Sequence, residues 1–214
     1  MAGDGRTLFS TGGGIYPKVM REQTKLIVVF IGLIASGKSF LAQAWGGKHR
    51  FPYFNTDVIR KQLAGIAPTE SRPEEEGQGI YSAEFTRRTY DTMLVSAWEA
   101  LQDPAVPCVV LDGSYQTEAE RERVRDTFGE CARIVFVLCS CDEAVTKARL
   151  VQRAAGPATV SDGRWDIYLC QKEKFQYPEE LPVEQFQRMD TDAPLDSLLE
   201  YLDRLLEVPI SQDD

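Results

Sequence analysis

The chain has 214 residues, of which 43% are apolar and 27% charged, the balance of an ordinary globular α/β protein with room for one sizeable core. Its formal charge of −9, from 24 basic and 33 acidic side chains, argues against a protein that tracks long nucleic acid by neutralising phosphates. No apolar run approaches the length of a membrane span and the first residues lack the apolar core of a signal peptide, so a cytoplasmic protein without a membrane partner is expected. The five cysteines show no zinc spacing, and the single histidine, His49, leaves acid–base work to carboxylates.

In chain order, residues 1–24 carry five glycines among the first fourteen and read as a flexible N-terminal arm, with Ile15 and Tyr16 as docking candidates. Residues 25–32, KLIVVFIG, have the near-continuous apolar character of a strand buried on both faces. They run into GLIASGKS, residues 32–39, which matches the Walker A pattern G-x-x-x-x-G-K-S. Glycines there let successive backbone N–H groups turn toward a polyphosphate, the lysine adds a mobile charge and the serine can ligate Mg²⁺. The candidate nucleotide-binding set is Gly32, Ala35, Ser36, Gly37, Lys38, Ser39 and Phe40. Phe40, Leu41, Ala44 and Trp45 then follow at helical spacing, and Gly46-Gly47 is expected to stop that helix.

A short second strand is expected at 51–56, followed by Asp57 and a helix through VIRKQLAG closed by Gly65. Residues 66–80, rich in Pro, Gly and Glu, read as an exposed loop or flap. A long helix begins at Ser82 and ends near Asp103-Pro104. Strand 106–111 delivers Asp112 at its carboxyl end, and a charged helix spans about 117–128. Strand 132–139, a helix from Asp142 to about Arg153, a loop over 154–163 and a helix over 164–176 follow. A strand at 186–190 and a helix at 195–208 complete the set. Five strands with intervening helices predict an α/β, three-layer P-loop fold with a five-stranded parallel sheet and a short lid. The expected boundaries are an arm at 1–24, a kinase-like P-loop domain at 25–208 and a C-terminal tail at 209–214.

Ligands of such sheets bind beyond the carboxyl ends of the strands, where three polar signals converge. Lys38 is expected on the terminal phosphates and Ser39 on the metal. Asp57 and Arg60, three residues apart, share one face if a helix starts there; the carboxylate can deprotonate an attacking hydroxyl and the guanidinium can clamp an acceptor. The structural alternative makes Thr56 or Asp57 a helix N-cap and Arg60 a solvated charge. Asp112 resembles a Walker B acid, holding Mg²⁺ through water or touching the acceptor, or else belongs to a D-G turn. Arg149 and Arg153, one helical turn apart, are candidates for neutralising the transferred phosphoryl group, or are placed there by the helix dipole. Arg121 and Arg123 are weaker candidates on a charged helix face.

The succession GLIASGKS, NTDVIRKQLAG, YSAEFTRRTYDTML, VVLDGSYQTEAERER, VLCSCDEAVTKARLVQR and SDGRWDIYLCQKEKFQ resembles the P-loop "predicted kinase" family of AAA-type ATP-binding domains. That family is often fused to an aminoglycoside-phosphotransferase-like domain and is similar to 5′-hydroxyl polynucleotide kinases, zeta toxins and chloramphenicol phosphotransferase. The resemblance covers about residues 25–192. It implies Asp57 as general base, Arg60 on an acceptor phosphate and a lid arginine at Arg149 or Arg153. The chain departs from the usual pattern at Phe40, where a threonine is common, and at Asp112-Gly113-Ser114. The expected activity is ATP- and Mg²⁺-dependent phosphoryl transfer to a hydroxyl of a small-molecule or nucleotide-type acceptor, a 5′-hydroxyl end included. The competing expectation is a regulatory or toxin-like nucleotide-binding module without such an acceptor.

Overall fold

The computed structural model describes residues 25–67, 77–155 and 164–207, without the side chains of residues 154 and 155. The expected N-terminal arm, most of the 66–80 loop, most of the 154–163 loop and the C-terminal tail lie outside the described residues.

Five strands form one parallel sheet: β1 Lys25–Ile31, β2 Tyr53–Asn55, β3 Cys108–Asp112, β4 Ala132–Ser140 and β5 Phe186–Asp190, in the order β2-β3-β1-β4-β5. Among the described residues seven α-helices accompany them: α1 Lys38–His49, α2 Thr56–Leu63, α3 Ala83–Leu101, α4 Glu118–Phe128, α5 Glu143–Ala155, α6 Trp165–Lys174 and α7 Leu195–Leu206. The alternating side chains of β1 explain its uninterrupted apolar sequence. Ile27, Val29 and Ile31 face a core built with α2, α3 and α4, while Val28 and Phe30 face α1 and α7. A strand packed on both faces has no polar positions to alternate with. The result is a three-layer sandwich with β1 at its centre.

Helix α1 corrects one expectation, because it runs through Gly46-Gly47 to His49. Gly46 is buried against β3, where a Cβ would meet Val110 Cγ2 at 3.4 Å in ordinary van der Waals contact, so the glycine sits inside the helix and does not terminate it. The helix closes at Arg50 instead, whose φ of 57° turns its N–H back to the carbonyls of Gly46 and Gly47. Asp203 of α7 fastens the end of α1, accepting from Trp45 Nε1 at 2.9 Å and Lys48 Nζ at 2.6 Å and pairing with His49 Nε2 at 2.7 Å. His49 is thereby spent on packing.

A third, smaller cluster places α5 and α6 over the phosphate loop. Ile34 and Ala35 pack against Leu150 and Tyr168, with Trp165 and Ile167 at its edge. A hydrogen bond from Ile34 N to Gln171 Oε1, 2.9 Å, joins the loop to α6.

Candidate active site

The loop between β1 and α1 takes a shape that its glycines permit. Gly32 has φ 142° and Gly37 φ 83°; a Cβ on the first would sit 2.5 Å from Cys139 O, and on the second 2.7 Å from Thr191 Oγ1. Both positions exclude a side chain on conformation and on space. Ala35 also holds a positive φ, 59°. Lys38 folds over the loop and donates to Leu33 O at 3.2 Å. Thr191, just past β5, supports the outer side by donating from Oγ1 to Ser36 O at 2.7 Å. Ser36 Oγ is buried and lacks a hydrogen-bond partner. Ser39 is half-buried on the first turn of α1, and Phe40 beside it is 65% exposed.

On the β3 side, strand pairing sets Asn55 opposite Asp112. The Asp112 carboxylate is fully buried, and its Oδ2 accepts from Tyr53 Oη at 2.5 Å and from Asn55 Nδ2 at 2.6 Å. Its Oδ1 has no partner. Asn55 is also the N-cap of α2, accepting from Val58 N at 3.0 Å. The cap is therefore neither Thr56 nor Asp57, and Asp57 stands in the first turn of the helix with Arg60 one turn on.

A cavity of about 320 Å³ opens at this point. Ile34 and Lys38 line it from the phosphate loop, Asp57 and Arg60 from α2, Tyr81 and Thr86 from the start of α3 and the turn before it, and Gln116 and Gln171 from the far wall. Asp57 is half-buried and lines the cavity. Burial pushes its carboxyl pKa up and the charge of Asp112 adds to this, while Lys38, Arg60 and Lys61 pull it down; the net shift is upward. Arg60 is buried, with Nη1 donating to Ile80 O at 2.5 Å and Thr86 Oγ1 at 3.0 Å, its plane over the Tyr81 ring and its Nε without a partner. It is the buried, positioned cation of this wall, not a solvated charge.

A glycine cradle after β1 and a buried acid ending the neighbouring strand β3 match the layout of a nucleotide-binding P-loop domain. The family model for the AAA domain matches residues 27–178, most of the chain. The chain belongs to the AAA domain family. No curated protein matches the sequence. Among solved structures, the AAA domain described here is similar to a sugar kinase from a Janibacter species, with TM-score 0.60 and 19% identity over 87% of this chain and 96% of that one. It is similar to the APS kinase CysC of Mycobacterium tuberculosis in complex with AMPPNP and APS, with TM-score 0.56 and 19% identity over 87% and 99%. It is also similar to a shikimate kinase from Acinetobacter baumannii in complex with shikimate, with TM-score 0.56 and 11% identity over 88% and 97%. At these identities the likeness establishes the fold.

The two α5 arginines of the AAA domain separate. Arg149 lies against the outer side of the phosphate loop, donating from Nη2 to Thr191 O at 2.9 Å and from Nη1 to Thr191 Oγ1 at 3.1 Å, with Asp192 Oδ1 3.3 Å away. Arg153 instead feels Asp57: its pKa is lowered by burial first and by Arg149 second, against the raising influence of Asp57. Arg121 departs from the expected charged surface, since it is fully buried, paired with Glu180 through two bonds of 2.6 and 3.0 Å, and bonded to Tyr115 O at 3.0 Å. Arg123 pairs with Asp91 on the surface. Sequence reasoning missed the polar wall residues Thr86, Gln116 and Gln171, which sit in helices and a loop where polar side chains ordinarily face water.

Proposed function

We propose that this AAA domain is a kinase that transfers the γ-phosphoryl group of ATP to a hydroxyl of a small-molecule or nucleotide-type acceptor. One observation carries the reading: the phosphate loop and Asp57 line the same cavity. A hydroxyl held beside Asp57 faces the place where a terminal phosphate in the loop would lie. As the new O–P bond forms, the hydroxyl proton passes to the Asp57 carboxylate, the bond from phosphorus to the β,γ-bridging oxygen breaks, and ADP leaves. Lys38 and Arg153 neutralise charge on the transferred group, and Arg60 positions the acceptor. A volume of about 320 Å³ falls at the low end of small-molecule sites, which favours a compact acceptor.

The residues also fit Mg²⁺. That ion is typically bound through one or two carboxylates, several waters and substrate phosphates, and the buried, unpartnered Oδ1 of Asp112 together with the Ser39 hydroxyl offers such a partial set. Among the described residues no group of three or more His, Cys, Asp or Glu side chains could hold an ion alone, so the phosphates would complete the shell. When bound, Mg²⁺ supplies charge neutralisation on the polyphosphate.

ADP release measured with Mg-ATP across hydroxylated metabolites and a 5′-hydroxyl oligonucleotide tests the proposal. Turnover that depends on one acceptor and yields its phosphorylated form is expected. Turnover indifferent to every acceptor would replace the kinase with a nucleotide-hydrolysing regulatory module.

A further inference from the structure

The carboxylate of Asp112 is served unequally. Both of its hydrogen-bond donors, Tyr53 Oη at 2.5 Å and Asn55 Nδ2 at 2.6 Å, address Oδ2. Oδ1 is equally buried and has none. An unpaired anionic oxygen away from water is costly, and the two donors stand where they cannot relieve it. They do fix the plane of the carboxylate, so that one known oxygen remains open.

Asn55 carries a second constraint. Its amide donates to Asp112 through Nδ2 and accepts from Val58 N through Oδ1 at 3.0 Å. A single planar group therefore links the acid at the end of β3 to the first turn of the helix that carries Asp57 and Arg60. Tyr53, in turn, is held close enough to Asn55 Nδ2 for a 3.3 Å contact.

We propose that Tyr53 and Asn55 are positioning residues that clamp Asp112 through Oδ2 and leave Oδ1 alone to face the divalent cation of a bound nucleotide complex. The inference rests on the donor-site assignment made above. It adds that the geometry of the cation's protein ligand is set from β2, the neighbouring edge strand, and not from the phosphate loop. It also adds that Asn55 ties the placement of the cation to the placement of the base.

Outer-shell partners of this kind typically contribute about 10- to 100-fold to metal affinity. Tyr53→Phe deletes one donor without changing volume. Asn55→Ser deletes the other while keeping an N-cap acceptor for α2. The probe is Mn²⁺ titrated into protein saturated with ADP, with free Mn²⁺ followed by electron paramagnetic resonance, alongside ADP binding in EDTA. Each variant should bind Mn²⁺ about tenfold more weakly than the wild type, with metal-free ADP affinity and the thermal midpoint little changed. Mn²⁺ affinity within twofold of wild type in both variants overturns the positioning role and leaves the donor site standing. A parallel loss of metal-free ADP binding also overturns it, by showing a general structural role. A wild-type protein whose ADP complex takes up no Mn²⁺ removes the donor-site assignment itself, and this inference with it.

Discussion

Asp57 is stable in its place only because its neighbours offset part of the cost of ionising it there. Lys38, Arg60 and Lys61 favour the carboxylate, yet burial and the nearby Asp112 outweigh them and the pKa rises. For an acid whose folded pKa exceeds its unfolded value, stability is fully present below the unfolded pKa and declines as pH rises through the folded one. Asp57→Asn should therefore do two opposite things. Phosphoryl transfer should fall about 10²- to 10⁴-fold in kcat with ATP affinity little changed, and the thermal midpoint should rise at neutral pH, the gain shrinking as pH approaches the carboxylate range. Wild-type activity should fall on acidification at a pH above the ordinary Asp value near 4. A pH–rate profile and melting curves at several pH values measure both; an unimpaired variant would remove Asp57 as the base. Asp112 was legible as a candidate because it ends an apolar run with a lone acid, and Asp57 because it follows a short strand pattern at the start of a helix. Tyr53 and Asn55 were not, since two polar groups in a three-residue strand resemble turn chemistry until their partner on β3 is known.

At the scale of elements, the wall of the cavity depends on how the β3–α4 loop is held. Arg121 is fully buried on α4, bonds Tyr115 O and forms a two-bond pair with Glu180. Partial burial pushes the Glu180 pKa up, but the hydrogen bond from Arg121 and its charge more than offset this, so the net shift is downward and the pair's contribution is lost only as pH falls below the usual carboxylate range. Breaking such a buried pair from one side typically costs about 3–5 kcal/mol. Arg121→Leu should show a loss of that order in urea unfolding, part of it recovered in the double variant with Glu180→Leu. It should also raise the acceptor KM, because Ser114 and Gln116 sit on the loosened loop. A loss under about 1 kcal/mol with unchanged KM would mean the loop holds itself. In sequence Arg121 looked like one more charge on a polar helix, as its partner lies 59 residues away. Gly46-Gly47 misled for a related reason: glycine disfavours helix by about 1 kcal/mol, a cost that the packing of Leu41, Ala42 and Trp45 on the sheet outweighs.

For the molecule as a whole, the layers were readable and the strand order was not. β1, β3 and β4 are each apolar on both sides, so periodicity cannot say which neighbours which. Only pairing fixes β1 at the centre and brings the ends of β1, β2 and β3 around one cavity. Ligand occupancy of that region should appear as global stabilisation. Mg-ADP at a hundred times its dissociation constant should add about 2.7 kcal/mol, roughly 5–10 °C in the thermal midpoint for a chain of this size, and an acceptor should raise it further. A midpoint indifferent to Mg-ADP would deny the nucleotide site.

The three packing clusters have a practical corollary. Each holds one of the chain's three tryptophans: Trp98 borders the core of α2, α3 and α4, Trp45 is buried between α1 and the sheet, and Trp165 stacks on Tyr168 beside the phosphate loop with ring centroids 4.9 Å apart. The protein is thus supplied with three tryptophan fluorophores, one per structural compartment. Replacing two at a time leaves a single tryptophan which, excited at the red edge where the eight tyrosines do not absorb, reports whether its compartment responds when nucleotide arrives.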